Sequence, residues 1–239
     1  MSSSRITSVL TAEALGTFLF FFVGAGAVIV NTGAAGSTGL LGVALAHGLA
    51  LAVLVSALGA VSGAHFNPAV TVAVMVSGRI TAGMAGMYIV VQLAAAVAAG
   101  FALRAVFPEG AWGPVAIGTP AVHSAISIPG AIVIEAVLTV LLVIAVFGTA
   151  IDRRAPKLGG LAIGLAVAAD VLMGGPLTGA AMNPARWFGP AVASGSFDNW
   201  YVWVIGPLVG ALVAAVIYRL ALAETAYAQV TPATPEGGR

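Results

Sequence analysis

Two nine-residue stretches of the chain share one pattern: Ser62-Gly-Ala-His-Phe-Asn-Pro-Ala-Val70 and Thr178-Gly-Ala-Ala-Met-Asn-Pro-Ala-Arg186. In each, an Asn that can cap a helix precedes a Pro suited to the first helical position, which predicts that Asn67 and Asn183 each begin a helix. Glycines further along predict that these helices end at about residues 77 and 194. Helices of this length reach only ~15 Å, half of the ~30 Å hydrocarbon core of a membrane. The pattern therefore predicts two half-helices that meet at their Asn ends inside a membrane.

The composition indicates a membrane protein. Of the 239 residues, 60% are hydrophobic and only 7% are charged, whereas soluble domains carry about 25% charged residues. A net charge of +1 and mostly isolated basic residues offer no face for nucleic acid. The chain has no Cys, three His and no clustered pair of acids, so we expect no metal site, no cofactor and no catalytic triad. An enzymatic function is therefore not expected.

Six apolar stretches are each long enough to cross a membrane. Three of them separate the two Asn-Pro loops, and because three is odd these loops must enter from opposite faces. The order is two spans, a half-helix and a span, and then the same series again. This order predicts an all-α membrane protein with six transmembrane helices, two re-entrant half-helices and an inverted repeat. The predicted spans are residues 8–30, 40–61, 84–106, 130–150, 158–176 and 200–222.

We expect a single transmembrane domain over residues 1–239, with one repeat at about 8–106 and the other at about 130–222. Glu13 and Glu135 lie at matching points of the two repeats. Unpaired carboxylates would be costly there, so we expect them to accept hydrogen bonds from backbone N–H groups of the two Asn-Pro loops.

The basic residues predict the orientation of the chain. Seven Lys and Arg residues fall on one side of the predicted spans and only Arg104 on the other. By the positive-inside rule, both termini are expected to be cytoplasmic, in what we take to be the cell membrane. The end of the chain, about residues 228–239, has no apolar period and is expected to be disordered.

These features resemble the aquaporin family, also called the major intrinsic proteins. The resemblance covers about residues 8–222 and rests on the paired motifs in their inverted six-span setting. It implies a passive water channel and a homotetramer surrounded by membrane lipid. The amide groups of Asn67 and Asn183 would donate to water in a pore, while the positive ends of the two half-helices exclude protons and cations. The pore motifs are Asn67-Pro68-Ala69 and Asn183-Pro184-Ala185.

Four residues match the family's selectivity filter. Arg186 would be costly inside a membrane unless it faces water or a partner, and the family places the filter Arg at this position. Matching the other filter positions gives His47, Val171 and Ala180, a set that resembles the plant tonoplast subgroup. Val171 replaces a His of the water-selective pattern, so we expect a wider and less polar filter. Ammonia or another small neutral solute then becomes a candidate permeant beside water.

Three further residues have expected roles tied to this resemblance. His123, in the loop before the fourth span, resembles a loop His that joins the filter in some tonoplast members. Asp170 is an acid inside a span, where it would need a partner such as His123, Arg186 or loop backbone. Trp187 follows Arg186 at a position where the glycerol-facilitator branch carries Asp, which argues against that branch.

The segments that lead into the two motifs are expected to be extended and to line the pore with carbonyl groups. Irregular backbone at membrane depth is tolerated only where it lines a watery cavity or is buried in protein. These segments are Gly63-Ala64-His65 and Gly179-Ala180-Ala181.

Three alternatives to a water channel stay open. An ion- or proton-coupled secondary transporter shares inverted repeats and broken helices, but it would need titratable residues in its pore, and only Arg186 and His47 qualify. A glycerol facilitator would conduct a larger solute. A non-conducting junctional or scaffold protein would show no permeability above that of bare lipid.

Overall fold

The computed structural model describes residues 2–32, 38–152, 154–155 and 158–222. Within these residues, six helices are long and apolar enough to cross a membrane, and two shorter ones begin at the predicted Asn-Pro motifs. The predicted fold class is therefore confirmed, whereas the expected disordered end lies outside the described residues. The helices are α1 (Ser3–Thr32), α2 (Gly39–Ser62), α3 (Pro68–Val76), α4 (Ala82–Val106), α5 (Glu109–Trp112), α6 (Ile128–Val146), α7 (Leu161–Thr178), α8 (Pro184–Ser194) and α9 (Val202–Ile217).

The half-helices α3 and α8 begin with the same local chemistry. The Oδ1 atom of Asn67 accepts the backbone N–H of Ala69 at 2.8 Å, and Oδ1 of Asn183 accepts that of Ala185 at 3.0 Å. Both Asn residues have extended backbone, which suits the residue before a Pro. Pro at the first helical position loses no helical hydrogen bond. The start of each half-helix is thus a local consequence of the sequence.

The spanning helices pack closely where small residues meet. A Cβ placed on Gly164 of α7 would lie 2.2 Å from the carbonyl oxygen of Gly48 of α2, and one on Gly210 of α9 would lie 2.1 Å from that of Ala136 of α6. Small residues at such crossings let helix backbones approach each other in a membrane. This packing holds the six spanning helices around α3 and α8, which meet at the centre of the bundle.

The inverted repeat gives residues of one half counterparts in the other. The spacing that relates Asn67 to Asn183 also relates Ser62 to Thr178, Val55 to Val171 and Leu54 to Asp170. The hydrogen bonds around the two motifs follow the same correspondence, as described below. At one of these pairs the apolar Leu54 corresponds to an acid, Asp170.

Candidate functional site

The two half-helices are joined by reciprocal hydrogen bonds between their N-terminal Asn residues and the opposite loops. Nδ2 of Asn67 donates to the carbonyl oxygen of Met182 at 2.9 Å, and Nδ2 of Asn183 donates to that of Phe66 at 2.9 Å. Each amide has two N–H groups, so one joins the loops and one remains for a permeating molecule. The bond to the opposite loop is a role of each amide that was not expected from the sequence, and the expected donation to water stays a prediction.

Glu13 of α1 organises the first loop. Its Oε1 accepts the hydroxyl of Ser62 at 2.7 Å and the backbone N–H of His65 at 3.0 Å. Its Oε2 accepts the N–H of Phe66 at 2.8 Å and the side-chain amide of Gln92 at 2.9 Å. The side chain is fully buried, and these four donors compensate the loss of water around the carboxylate.

Glu135 of α6 holds the second loop in the same way. Its Oε1 accepts the hydroxyl of Thr178 at 2.7 Å and the N–H of Ala181 at 3.0 Å, and its Oε2 accepts the N–H of Met182 at 2.7 Å. This carboxylate is also fully buried. The described residues provide no counterpart to Gln92 here, so Glu135 has three donors where Glu13 has four.

The segments that lead into the motifs are not extended, contrary to the expectation. In a strand, successive N–H groups point to opposite sides, but here two consecutive N–H groups must reach a single carboxylate. Left-handed residues on either side of His65 and of Ala181 turn the backbone away from an extended path. The positive φ angles are 88° at Gly63, 50° at Ala64, 47° at Phe66, 82° at Gly179, 44° at Ala180 and 51° at Met182.

A narrow passage runs between the two loops and the surrounding helices. Its volume of about 20 Å³ leaves room for about one water at a time. His65, Asn67, Ala180, Asn183 and Arg186 are among the residues that line it. Among the described residues, none donates a hydrogen bond to the carbonyl oxygens of the two lead segments, so these oxygens are available as acceptors. The acceptors are those of Gly63, Ala64, His65, Gly179, Ala180 and Ala181.

Two wider vestibules adjoin the passage: one shares His65 with its wall, and the other shares His47 and Arg186. The vestibule beside His65 has a volume of about 660 Å³ and includes Gly63 in its wall. The vestibule beside Arg186 has a volume of about 460 Å³ and includes Gly179 and Val171. Among the described residues, no Asp or Glu lines the passage or either vestibule. The wall therefore lacks the carboxylates that commonly coordinate cations or relay protons.

Arg186 and His47 form one hydrogen-bonded unit at the Arg186 end of the passage. Nε of Arg186 donates to Nε2 of His47 at 3.2 Å, and its Nη1 donates to the carbonyl oxygen of Gly118 at 2.8 Å. Nδ1 of His47 donates to the carbonyl oxygen of Val43 at 2.8 Å, which leaves Nε2 as the acceptor. Both side chains are only 4% exposed, so their polar atoms are compensated by these bonds.

The other two predicted filter residues lie beside this unit. Ala180 lines the passage together with His47 and Arg186, and Val171 lines the adjoining vestibule with the same two residues. Both are small and apolar, so this part of the wall offers no hydrogen bond from a side chain. The structure thus brings all four predicted residues to one end of the passage.

His123 is not among the residues that line the passage or the Arg186 vestibule, where its expected place in the filter would put it. Its side chain is exposed, and its Nδ1 accepts the backbone N–H of Ala125 at 3.1 Å. A hydrogen bond between the backbone N–H of His123 and the carbonyl oxygen of Leu177 holds the loop at 2.9 Å. The loop turns the imidazole towards its own backbone and not into the passage.

Asp170 and Trp187 are buried without the partners that their polar atoms would normally find. Asp170 is 1% exposed, and among the described residues its Oδ2 accepts no hydrogen bond, whether from His123, Arg186 or loop backbone. Trp187 stacks on Trp203 with ring centroids 6.0 Å apart, and its Nε1 likewise has no partner among those residues. Trp203 in turn donates to the carbonyl oxygen of Thr178 at 2.9 Å and so supports the second loop.

Sequence reasoning missed three residues that complete the site. Gln92 bridges Glu13 and the hydroxyl of Thr71, Gly118 accepts Arg186, and Phe20 packs edge-on against His47. None of the three lies in a motif, and each contacts residues far away in the chain. A glutamine within an otherwise apolar span was the one available signal.

Comparison with known proteins gives the family. The family model "Major intrinsic protein" matches residues 1–218. Aquaporin NIP1-1 of Zea mays is 41% identical over 88% of this chain and 73% of its own length, and Aquaporin-2 of Rattus norvegicus is 39% identical over 93% and 81%. Aquaporin TIP1-2 of Zea mays is 39% identical over 92% of this chain and 88% of its own length.

A solved structure shares the fold. The X-ray structure of the aquaglyceroporin from Plasmodium falciparum matches with a TM-score of 0.80 and covers 93% of this chain and 99% of its own, at 24% identity. Identities of 39% and 41% to relatives from different subgroups do not single out the tonoplast subgroup that the filter resembles. The paired half-helices, the six spanning helices and these similarities together show that this chain belongs to the major intrinsic protein family of passive channels, the aquaporins.

Proposed function

We propose that this chain conducts water in single file and excludes protons and ions. The observation that carries the proposal is the passage between the two Asn residues, which has room for about one water and has no acid among the described residues of its wall. A passage of this kind needs no energy source and works in both directions.

The geometry supports different roles for the carbonyl and amide groups along the line of water molecules. Carbonyl oxygens of the two lead segments accept hydrogen bonds from water on either side of the centre. At the centre, the free N–H groups of Asn67 and Asn183 donate to the oxygen of a single water. A water that accepts from both amides cannot accept a further proton from its neighbour. The positive ends of α3 and α8, each equivalent to about half a charge, repel cations at the same point.

Arg186 adds a second barrier. Its guanidinium is the one charged side chain among the described residues that line the passage. The hydrogen bonds to Gly118 and His47 hold the guanidinium at the wall of the passage, so its charge stays in place and the passage stays open. A fixed positive charge at a constriction excludes cations and can donate to a passing neutral molecule.

Stopped-flow light scattering on proteoliposomes tests the proposal. Water flux should exceed that of empty liposomes, have a low activation energy, and be unaffected by proton or sodium gradients. Flux that depends on such a gradient would favour a coupled transporter, and flux equal to that of bare lipid would favour a scaffold. Glycerol and urea measured in parallel would reveal a facilitator.

Ammonia is a second candidate permeant, and Val171 is the observation that favours it. This apolar side chain occupies the filter wall beside Arg186, where a His would add bulk and a donor. Ammonia flux should therefore exceed that of bare lipid, and Val171→His should reduce it relative to water flux. Equal ammonia flux in both proteins would remove the case for a widened filter.

The same proposal extends to assembly and location. An exposed apolar stripe on α2 offers a surface for neighbouring copies in a homotetramer; it comprises Leu41, Leu45, Leu49 and Val53. Mass spectrometry from native membranes measures the oligomer directly. Tags on the two termini, probed in intact cells, test the proposed cytoplasmic orientation and the cell membrane as the location.

A further inference from the structure

The His47 ring is held on several sides. Its Nδ1 donates to Val43, its Nε2 accepts from Arg186, and Phe20 packs against it with ring centroids 6.2 Å apart and planes at 88°. One face of the ring has none of these contacts, and Gly24 of α1 lies against that face. The position of this ring therefore depends on how much space α1 leaves behind it.

Gly24 leaves that space only because it has no side chain. A Cβ placed on Gly24 would lie 2.6 Å from Cδ2 and 2.6 Å from Nε2 of His47, well inside the ~3.5 Å at which carbon atoms attract each other. Gly24 itself lines neither the passage nor the Arg186 vestibule, whereas His47 lines both. The glycine thus forms a recess behind the ring.

We infer that Gly24 is a positioning residue that sets the aperture of the filter by allowing the His47 ring to withdraw from the passage. This inference rests on the proposed function, since it concerns the width of the same water path. A methyl group at Gly24 would push the ring towards the passage or break its bond to Arg186. Either change obstructs a path with room for about one water.

Two alanine variants in the same helix, one facing His47 and the other facing Leu103, separate this role from helix packing. Gly24→Ala should lower water permeability per channel about tenfold, the effect on a rate that overpacking of ordinary size would have at a bottleneck. Gly26→Ala is the matched control, because its Cβ would meet only Leu103 at 3.2 Å, outside the passage. This variant should conduct as the wild type does.

A double variant provides the decisive readout. If the methyl group acts through His47, then adding Gly24→Ala to His47→Ala should leave the flux and the thermal stability of His47→Ala unchanged. If Gly24 served only helix packing, adding Gly24→Ala would lower the flux and the thermal stability further. If Gly24→Ala alone does not fold, the double variant still tests the role of Gly24. Removal of the His47 ring should then restore the fold.

The outcomes distinguish this inference from the proposed function. A wild type without water flux above bare lipid would overturn both. Wild-type flux together with equal flux in Gly24→Ala and Gly26→Ala would overturn the role of Gly24 alone. A further loss of flux or fold in the double variant would also overturn it.

Discussion

Replacing Asp170 by Leu should stabilise this protein. Asp170 is 1% exposed, and among the described residues its Oδ2 has no hydrogen-bond partner. Its counterpart in the first repeat is Leu54, which is 9% exposed and belongs to the apolar core. The fold therefore already accommodates a leucine at the equivalent place in its other half.

The size of the effect follows from three contributions. Removing a buried polar group without a partner gains about 1–3 kcal/mol, and burying a Leu side chain contributes about 1.5–3 kcal/mol. The longer side chain must fit a site shaped for Asp, and overpacking costs about 1–3 kcal/mol. The net gain expected for Asp170→Leu is about 2 kcal/mol, or an increase of ~4–8 °C in the unfolding midpoint for a chain of this size.

Thermal unfolding in detergent, followed by circular dichroism and tryptophan fluorescence, measures this shift. Leu54→Asp is the reciprocal control and should lower the midpoint by at least as much, since it buries an acid in an apolar core. A lower midpoint in Asp170→Leu would refute the reasoning, because it would mean that Asp170 has a stabilising partner such as a bound water. Asp170→Asn, which keeps the shape, would show whether charge or packing is responsible.

Four further predictions concern the pore, its support and one loop. Arg186→Val should raise proton or cation leak, measured with a pH-sensitive dye in proteoliposomes; an unchanged leak would count against its filter role. Glu135→Gln should lower the free energy of unfolding by about 1.5–3 kcal/mol, because a charged acceptor of three buried hydrogen bonds is lost. Mercurials should leave water flux intact since the chain has no thiol, and inhibition of the wild type would contradict this. Hydrogen bonds from Arg154 hold the pKa of Asp152 below its usual value, so the bond between Asp152 and Tyr218 should be fully present above about pH 3.9 and be lost only as the pH falls further, through the lowered pKa. Hydrogen exchange corrected for its intrinsic pH dependence measures this, and a fall in the protection of the backbone around Asp152 between about pH 7 and pH 4 would refute it.

Much of the fold was predictable because its signals are local. Each spanning helix is marked by a continuous apolar stretch, and each half-helix by an Asn-Pro pair whose capping geometry involves residues two or three positions apart. The odd number of spans between the two motifs then determines that they enter from opposite faces. Buried Glu13 and Glu135 were recognisable as well, because an acid in an apolar span needs donors and the nearby loops have free N–H groups.

The details of the candidate site were less predictable because they depend on contacts between distant parts of the chain. The left-handed residues of the first lead segment flank His65, and the turned segment brings two consecutive N–H groups to one carboxylate on another helix. The exposed position of His123 follows from a turn in its own loop, and the missing partner of Asp170 follows from what the neighbouring helices happen to present.

Six spans, two half-helices and an inverted repeat follow from local patterns in the chain, since apolar length and helix capping act over a few residues. The bond from each Asn amide to the opposite loop, and those from Arg186 to His47 and Gly118, exist only in the packed bundle. The physical reason is that a hydrogen bond requires its two atoms to be about 3 Å apart. The residues joined here lie 68 to 139 positions apart in the chain, and their atoms reach that distance only when the whole bundle has packed.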